Sequence, residues 1–167
     1  PTVPSAMSKK ATPPSPADDS RGGRSPWYTE LKIEQNGHYI YLTTIPIDDL
    51  FEYCVVERRN ENPTEGFQRR LSESRADEIA EYLNSEDNSI PINIVLSAQS
   101  EAEFVHVREN KAISFKRVPG AFVILDGQHR MWGYQKCAAR HRVPVAIYEG
   151  LSRPDEARLF VDINTKH

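Results

Sequence analysis

The sequence predicts an α/β protein of the α+β kind, in which helices alternate with strands behind an N-terminal β-hairpin. Asn36 and Gly37 separate two β-rich runs, and this residue pair is the favoured two-residue hairpin turn. Apolar runs at residues 91–96, 121–125 and 143–148 have the length of buried strands. Apolar residues recur at helical spacing before, between and after these runs, which predicts helices that cover a sheet.

The N-terminal half is predicted to contain one hairpin and one clear helix. Residues 27–42 form the hairpin, and residues 45–56 form a mixed segment with a short helix starting near Pro46. Residues 58–66 are polar and predict a loop. Residues 74–83 predict an amphipathic helix, because its apolar residues recur at helical spacing. Ser74 followed by Asp77 resembles a capping box at its start.

The C-terminal half is predicted to alternate strands with helices. Its predicted elements are strands at 91–96, 103–107, 121–125 and 143–148, a turn at 118–120, a helix at 129–139, and a last helix that begins near Ser152. Pro154 and Asp155 suit the first turn of that last helix, since proline is accepted there and a carboxylate complements the helix dipole.

Length and composition indicate one globular domain with a tail. The chain has 167 residues, of which 27% are charged and 38% hydrophobic. Residues 1–26 lack any apolar period and predict a flexible tail, while residues 27–167 form the predicted domain. The last helix reaches His167 without a stop signal, so we expect the domain to be truncated at its C-terminal end.

The net charge and the cysteines limit the classes of function. A net charge of -3 argues against tight binding of bare DNA through bulk charge. Cys54 and Cys137 are far apart in apolar surroundings, which predicts free thiols in a reducing compartment. There is no signal-peptide pattern and no apolar stretch of membrane-spanning length, so we expect a cytoplasmic protein that does not bind membranes.

The segment that carries most chemistry is the junction between the predicted strand 121–125 and the helix after it. Asp126, Gly127, Gln128, His129 and Arg130 follow one another there. Helix N-termini attract anions, and an arginine adds forked donors suited to phosphate, so the junction predicts a phosphate or nucleotide site. A plain turn, with the aspartate as cap and the glycine at an unusual φ, is the alternative, but it gives no reason for the three residues that follow.

Two further elements have weaker support. Gln68, Arg69 and Arg70 precede the helix 74–83, where positive charge opposes the helix dipole. Alone, these arginines are expected to be solvated, but a triphosphate needs several cations around it. Asn164 is either a helix C-cap or a ligand, and Lys166 is expected to be a surface charge.

Three familiar site types are missing from the sequence. No Walker-type phosphate loop occurs, the histidines show no zinc-ligand spacing with cysteines or carboxylates, and there is no Gly-x-Ser-x-Gly elbow.

The run VILDGQHR at 123–130, followed by a helix and the strand VPVAI at 143–147, resembles the DGQHR-domain family. The DNA-modification proteins DndB and DpdB belong to that family, which lies within the ParB/sulfiredoxin superfamily. The resemblance also covers FQRR at 67–70 through residue 96 and EARLFVDIN at 156–164. It implies a compact ParB/sulfiredoxin-like domain with a small mixed sheet and flanking helices.

The resemblance also implies a nucleotide site in front of the DGQHR helix. In ParB-like relatives a Gly-x-x-Arg turn holds the phosphates, which corresponds to Gly127 and Arg130, and a later helix supplies an asparagine, which corresponds to Asn164. The ParB pattern has a glutamate before that asparagine and an arginine three residues after it, where this chain has Ile163 and His167, so metal binding at that helix is not implied. Sulfiredoxins have a cysteine in the turn where this chain has Gln128, which excludes thiol repair of that kind.

On these grounds we expect a nucleotide-binding NTPase, with ATP as the first candidate and Mg²⁺ as its cofactor, in a bacterial DNA-modification or phage-defence system. The predicted catalytic residues are His129, Gln128 and Arg130: the histidine manages the proton of the attacking water, the glutamine orients that water, and the arginine stabilises transition-state charge. The predicted nucleotide-binding residues are Asp126, Gly127, Gln128, His129, Arg130, Arg70, Gln68 and Asn164.

The main alternative is a non-enzymatic, DNA-binding transcriptional regulator on the same fold, in which the arginines contact DNA phosphates. A ParB-like nuclease has less support, because no cluster of metal-binding carboxylates surrounds the motif. The expected partners are a nucleotide and DNA, bound directly or through other subunits of a modification complex, and self-association into a homo-oligomer is a further expectation.

Overall fold

The computed structural model of the chain describes residues 22–56 and 72–166. This part of the chain contains nine strands and three α-helices. The strands are β1 (Tyr28–Thr29), β2 (Leu31–Gln35), β3 (His38–Pro46), β4 (Cys54–Val55), β5 (Ile94–Ala98), β6 (Val105–Val107), β7 (Ala112–Ser114), β8 (Phe122–Asp126) and β9 (Arg142–Glu149). The helices are α1 (Glu73–Asn84), α2 (Gln128–Lys136) and α3 (Arg153–Lys166).

The strands form two sheets. The larger has six strands in the order β2-β3-β9-β5-β8-β4, with β5 parallel to β9, β4 parallel to β8, and the other neighbours antiparallel. The smaller has the order β1-β7-β6 and is antiparallel. A mixed sheet with helices against it confirms the predicted α+β class.

The predicted hairpin is confirmed. β2 and β3 pair from Leu31 opposite Leu42 to Gln35 opposite His38. The two turn residues have φ angles of 48° at Asn36 and 81° at Gly37, the left-handed conformations that a type I′ turn requires. β3 then continues to Pro46 and pairs with β9 along its length, so the hairpin is one edge of the larger sheet.

Several predicted boundaries were wrong. The strand predicted at 91–96 begins at Ile94, because the carbonyls of Ile92 and Asn93 accept hydrogen bonds from the Arg130 side chain instead of joining a ladder. The strand predicted at 103–107 begins at Val105, since Glu103 has a left-handed φ of 41°. β7 was missed because its three residues show no alternation of apolar and polar side chains.

Two predicted helix starts also differ. Near Pro46 the chain forms two short 3-10 turns, Ile47–Asp49 and Phe51–Tyr53, and not one helix. The cap of α1 is Ser72, whose hydroxyl accepts from the Arg75 backbone N–H at 3.4 Å, so the predicted Ser74 and Asp77 box is not the cap. The start predicted for the last helix near Ser152 is confirmed, and the Ser152 hydroxyl accepts from the backbone N–H of Asp155.

Helices α1 and α2 pack side by side in parallel. Near their N-termini the backbone N–H of Ser72 donates to Nε2 of His129, and near their C-termini the backbone N–H of Ala138 donates to Oδ1 of Asn84. Gly133 allows the close approach, since a Cβ there would lie 2.4 Å from Cγ2 of Ile79. Both helices therefore begin at the same place, beside the end of β8.

The end of the predicted tail packs against the rest of the protein. Residues 22–26, which the sequence places in the tail, lie against the smaller sheet, where Ser25 is fully buried and exchanges hydrogen bonds with Phe115. The predicted loop at 58–66 and the tail up to residue 21 lie outside the described residues.

Both cysteines are free, and burial raises the pKa of the Cys54 thiol. Among the described helices, none has the length and apolar character needed to cross a membrane.

Candidate functional site

A pocket of about 550 Å³ opens in front of the turn that joins β8 to α2. It lies at the shared beginning of α1 and α2, and the end of α3 reaches it as well. Its described lining residues are Arg75, Ile79, Tyr82, Ser89, Ile90, Pro91, Ile92, Asp126, Gly127, Gln128, His129, Arg130 and Asn164. Six of the eight predicted nucleotide-binding residues therefore meet at one pocket, while Gln68 and Arg70 lie outside the described residues.

The backbone conformation of Gly127 forms the turn itself. Its φ of 96° is in the left-handed region, and no side chain caps α2 after it. A Cβ at this position would lie 3.0 Å from Cγ1 of Ile94 and 3.1 Å from Nη2 of Arg130, so conformation and space both favour glycine. Because Gly127 has no side chain, the cap residue of α2 makes no side-chain hydrogen bond to the backbone N–H groups of the first turn.

Arg130 is committed to internal contacts. Its guanidinium donates to the carbonyls of Ile92 at 2.9 Å and Asn93 at 3.1 Å, and Nη2 lies 3.1 Å from Oδ2 of Asp126. Only 16% of the side chain is exposed. The arginine therefore links the start of α2 to the segment before β5 and forms part of the pocket wall.

His129 joins the two helix N-termini. Its Nε2 accepts the Ser72 backbone N–H at 3.0 Å, so this nitrogen carries no proton in the structure. The bond satisfies one of the N–H groups at the start of α1. The predicted role of His129 with the attacking water stays a prediction.

Asn164 fastens α3 to the end of β8. Its side-chain amide donates to the carbonyls of Leu125 at 2.9 Å and Phe160 at 2.6 Å. α3 continues to Lys166, so Asn164 is not a C-cap, and it contributes to the pocket wall.

The sequence did not identify the part of the site that lies on α1. Arg75, Ile79 and Tyr82 are spaced at i, i+4 and i+7, so they follow one face of this helix toward the pocket. Arg75 is exposed and stands in the first turn, and the described residues provide no partner for its guanidinium. The spacing was readable in the sequence, but nothing there showed that this face meets the β8–α2 turn.

The described residues do not form a metal centre of their own. They contain no group of three or more histidine, cysteine, aspartate or glutamate side chains arranged to hold an ion. Asp126 is the one carboxylate among the described lining residues, with 33% of its side chain exposed.

The profile of the DndB family, described as DNA-sulfur modification-associated, matches residues 28–167. The chain belongs to the DndB family. This match includes the three described helices and every described lining residue of the pocket, and it confirms the predicted association with DNA modification. No curated protein and no solved structure matches the chain. The wider relation of the DndB family to ParB-like proteins stays a prediction.

Proposed function

We propose that the pocket binds a nucleotide, with its phosphates at the shared N-termini of α1 and α2, and that the chain is an NTPase of a DNA-modification system. The observation that carries the proposal is the convergence of these two N-termini and the Arg75 side chain on one pocket. ATP is the first nucleotide to test, as the sequence predicts.

The charges at this end of the pocket favour an anion. Each helix N-terminus carries roughly half a positive charge, and first-turn N–H groups that make no hydrogen bond within the protein can donate directly to phosphate oxygens. Arg130 and Asp126 largely neutralise each other at 3.1 Å, which leaves Arg75 as the uncompensated cation among the described lining residues. The volume of about 550 Å³ lies within the range of small-molecule sites, roughly 300–1,000 Å³.

For hydrolysis, Gln128 is the best-placed side chain. It lies in the first turn of α2, lines the pocket and is partly exposed, so its amide can orient a water molecule against a phosphate held there. His129 would have to release the Ser72 N–H before its Nε2 could accept a proton. Arg130 supports catalysis by fixing the turn, and Arg75 takes the charge-stabilising role that the sequence gave to Arg130.

A magnesium ion fits this proposal as a companion of the nucleotide. Mg²⁺ in nucleotide sites is held by the phosphates and one or two carboxylates. Asp126 can supply one such oxygen, since only its Oδ2 is paired with Arg130. The ion would neutralise phosphate charge, while the orientation of the nucleotide would come from the protein groups.

The proposal is tested by calorimetric titration of the full-length protein with Mg²⁺ complexes of ATP, CTP and GTP, together with a phosphate-release assay. We expect binding of at least one nucleotide, and we expect Gln128→Ala to slow hydrolysis while retaining binding. Absence of binding by all three would overturn the proposal. Salt-dependent DNA binding without any nucleotide binding would instead support the regulator that the sequence left as the alternative.

A further inference from the structure

One face of α1 carries a positive charge in its first turn and an aromatic ring in its last turn. Arg75 and Tyr82 are two helical turns apart on this face, a separation of about 10 Å along the axis. Ile79 lies between them, and all three residues line the pocket. The pocket therefore has a charged end at the beginning of the helix and an apolar end near its last turn.

The apolar end has the character of a stacking surface. Tyr82 is 46% exposed and Ile92 is 61% exposed, although both are large apolar side chains. Pro91 and Ile90 complete this part of the lining. Exposed aromatic and apolar side chains beside a cationic site are the combination that holds the flat face of a base and the phosphates of one nucleotide.

Polar groups that could read the edge of a base are scarce at this end. The Tyr82 hydroxyl donates a long hydrogen bond of 3.5 Å to the carbonyl of Ser89. This bond places the ring beside the segment that begins at Ser89. Ser89 contributes one hydroxyl at this end, and the side chains of the other described lining residues there, Ile79, Ile90, Pro91 and Ile92, carry no hydrogen-bonding group. Stacking without edge contacts accepts different bases, because every base has a π face.

We infer that Tyr82 stacks on the base of the bound nucleotide and that the pocket requires a base while tolerating different ones. This inference rests on the proposed function, since it assumes phosphates at the Arg75 end. It adds that affinity comes from both ends of the pocket, so a bare polyphosphate is a poor ligand.

The test is a calorimetric comparison of Mg²⁺ complexes of ATP, GTP, CTP and inorganic tripolyphosphate on the full-length protein and its Tyr82 variants. In the unchanged protein we expect tripolyphosphate to bind roughly ten-fold or more weakly than ATP, and the three nucleotides to agree within about five-fold. Tyr82→Ala should weaken ATP about ten-fold and leave tripolyphosphate unchanged, while Tyr82→Phe should retain ATP binding within about two-fold.

Tyr39→Ala is the matched control, since Tyr39 is 41% exposed on the hairpin and does not line the pocket. Thermal melting of each variant confirms folding. Equal affinity for ATP and tripolyphosphate would overturn this inference while leaving the phosphate site intact, and so would an unchanged ATP affinity in Tyr82→Ala. A preference above about a hundred-fold for one base would overturn base tolerance. Binding of neither ATP nor tripolyphosphate would overturn the inference together with the proposed function.

Discussion

The guanidinium of Arg130 lies 3.1 Å from the carboxylate of Asp126, one helical turn earlier, at the start of α2. The first and last residues of the DGQHR motif thus pair with each other, and the same guanidinium also holds the carbonyls of Ile92 and Asn93. These contacts hold the β8–α2 turn and the segment before β5 together in the wall of the pocket. Under the proposed function, the first turn of α2 and Arg75 are the parts of the pocket that contact the phosphates.

Arg130→Ala should lower the free energy of unfolding by about 2 kcal/mol, because two carbonyls and a carboxylate lose a charged hydrogen-bond donor. Arg158→Ala is the control: this arginine is 58% exposed and pairs with Asp155, and such a surface pair contributes about 0.5 kcal/mol or less. Urea denaturation measures both. Equal stability of the two variants would show that the Arg130 contacts do not support the fold.

Gly133→Ala should destabilise the protein by about 2 kcal/mol, since the added methyl group would lie 2.4 Å from Cγ2 and 2.7 Å from Cβ of Ile79. α1 and α2 would have to separate. The double variant with Ile79→Ala should recover part of the loss, and Glu78→Ala, on the exposed side of α1, should have little effect. Denaturant midpoints of the unchanged protein, Gly133→Ala, Ile79→Ala and the double variant give the coupling, and strictly additive effects would contradict this packing.

His129→Ala should loosen the start of α1, because the Ser72 N–H loses its acceptor at 3.0 Å. The expected cost is about 1 kcal/mol. Hydrogen exchange of the Ser72 amide, followed by NMR, should become faster in this variant and stay unchanged in His38→Ala, which alters the hairpin. Unchanged exchange of Ser72 in His129→Ala would show that the two helix starts are not joined in this way.

Asn164→Asp should release the end of α3 from β8. The substitution replaces the amide donor with a carboxylate that faces the carbonyls of Leu125 and Phe160, at an expected cost of about 2 kcal/mol. Thr165→Ala provides the control, as its hydroxyl bonds only within the helix in the described structure. Chemical denaturation compares them. A variant as stable as the control would mean that Asn164 is not a structural tie.

Local patterns in the sequence were sufficient to predict the hairpin, the three α-helices and the strand-to-helix junction at Asp126 to Arg130. Each depends on turn chemistry, capping or periodicity within a few residues. The partners of Arg130 were not predictable in this way, since Ile92 and Asn93 are far away in sequence and form no regular element. Packing of the polypeptide in three dimensions decided which arginine is buried.

The position of Arg75 in the pocket lining was not predictable for a related reason. In an amphipathic helix, residues off the apolar stripe are expected to face solvent, and Arg75 does not belong to the stripe of α1. The parallel packing of α1 on α2, which Gly133 permits, turns this part of the polar face toward the β8–α2 turn. Helix periodicity identifies faces, but it does not show which cavity a face adjoins.

The central claim, that the convergence of two helix N-termini and Arg75 binds phosphates, is tested most directly by titrating Mg²⁺–ATP into the full-length protein, Arg75→Ala and Lys32→Ala. Both variants lose one positive charge, but Lys32 lies on the hairpin and does not line the pocket. We predict that Arg75→Ala weakens binding by roughly ten-fold or more with an unchanged melting temperature, while Lys32→Ala binds like the unchanged protein. Equal affinities in all three proteins, or no binding by the unchanged one, would contradict the claim.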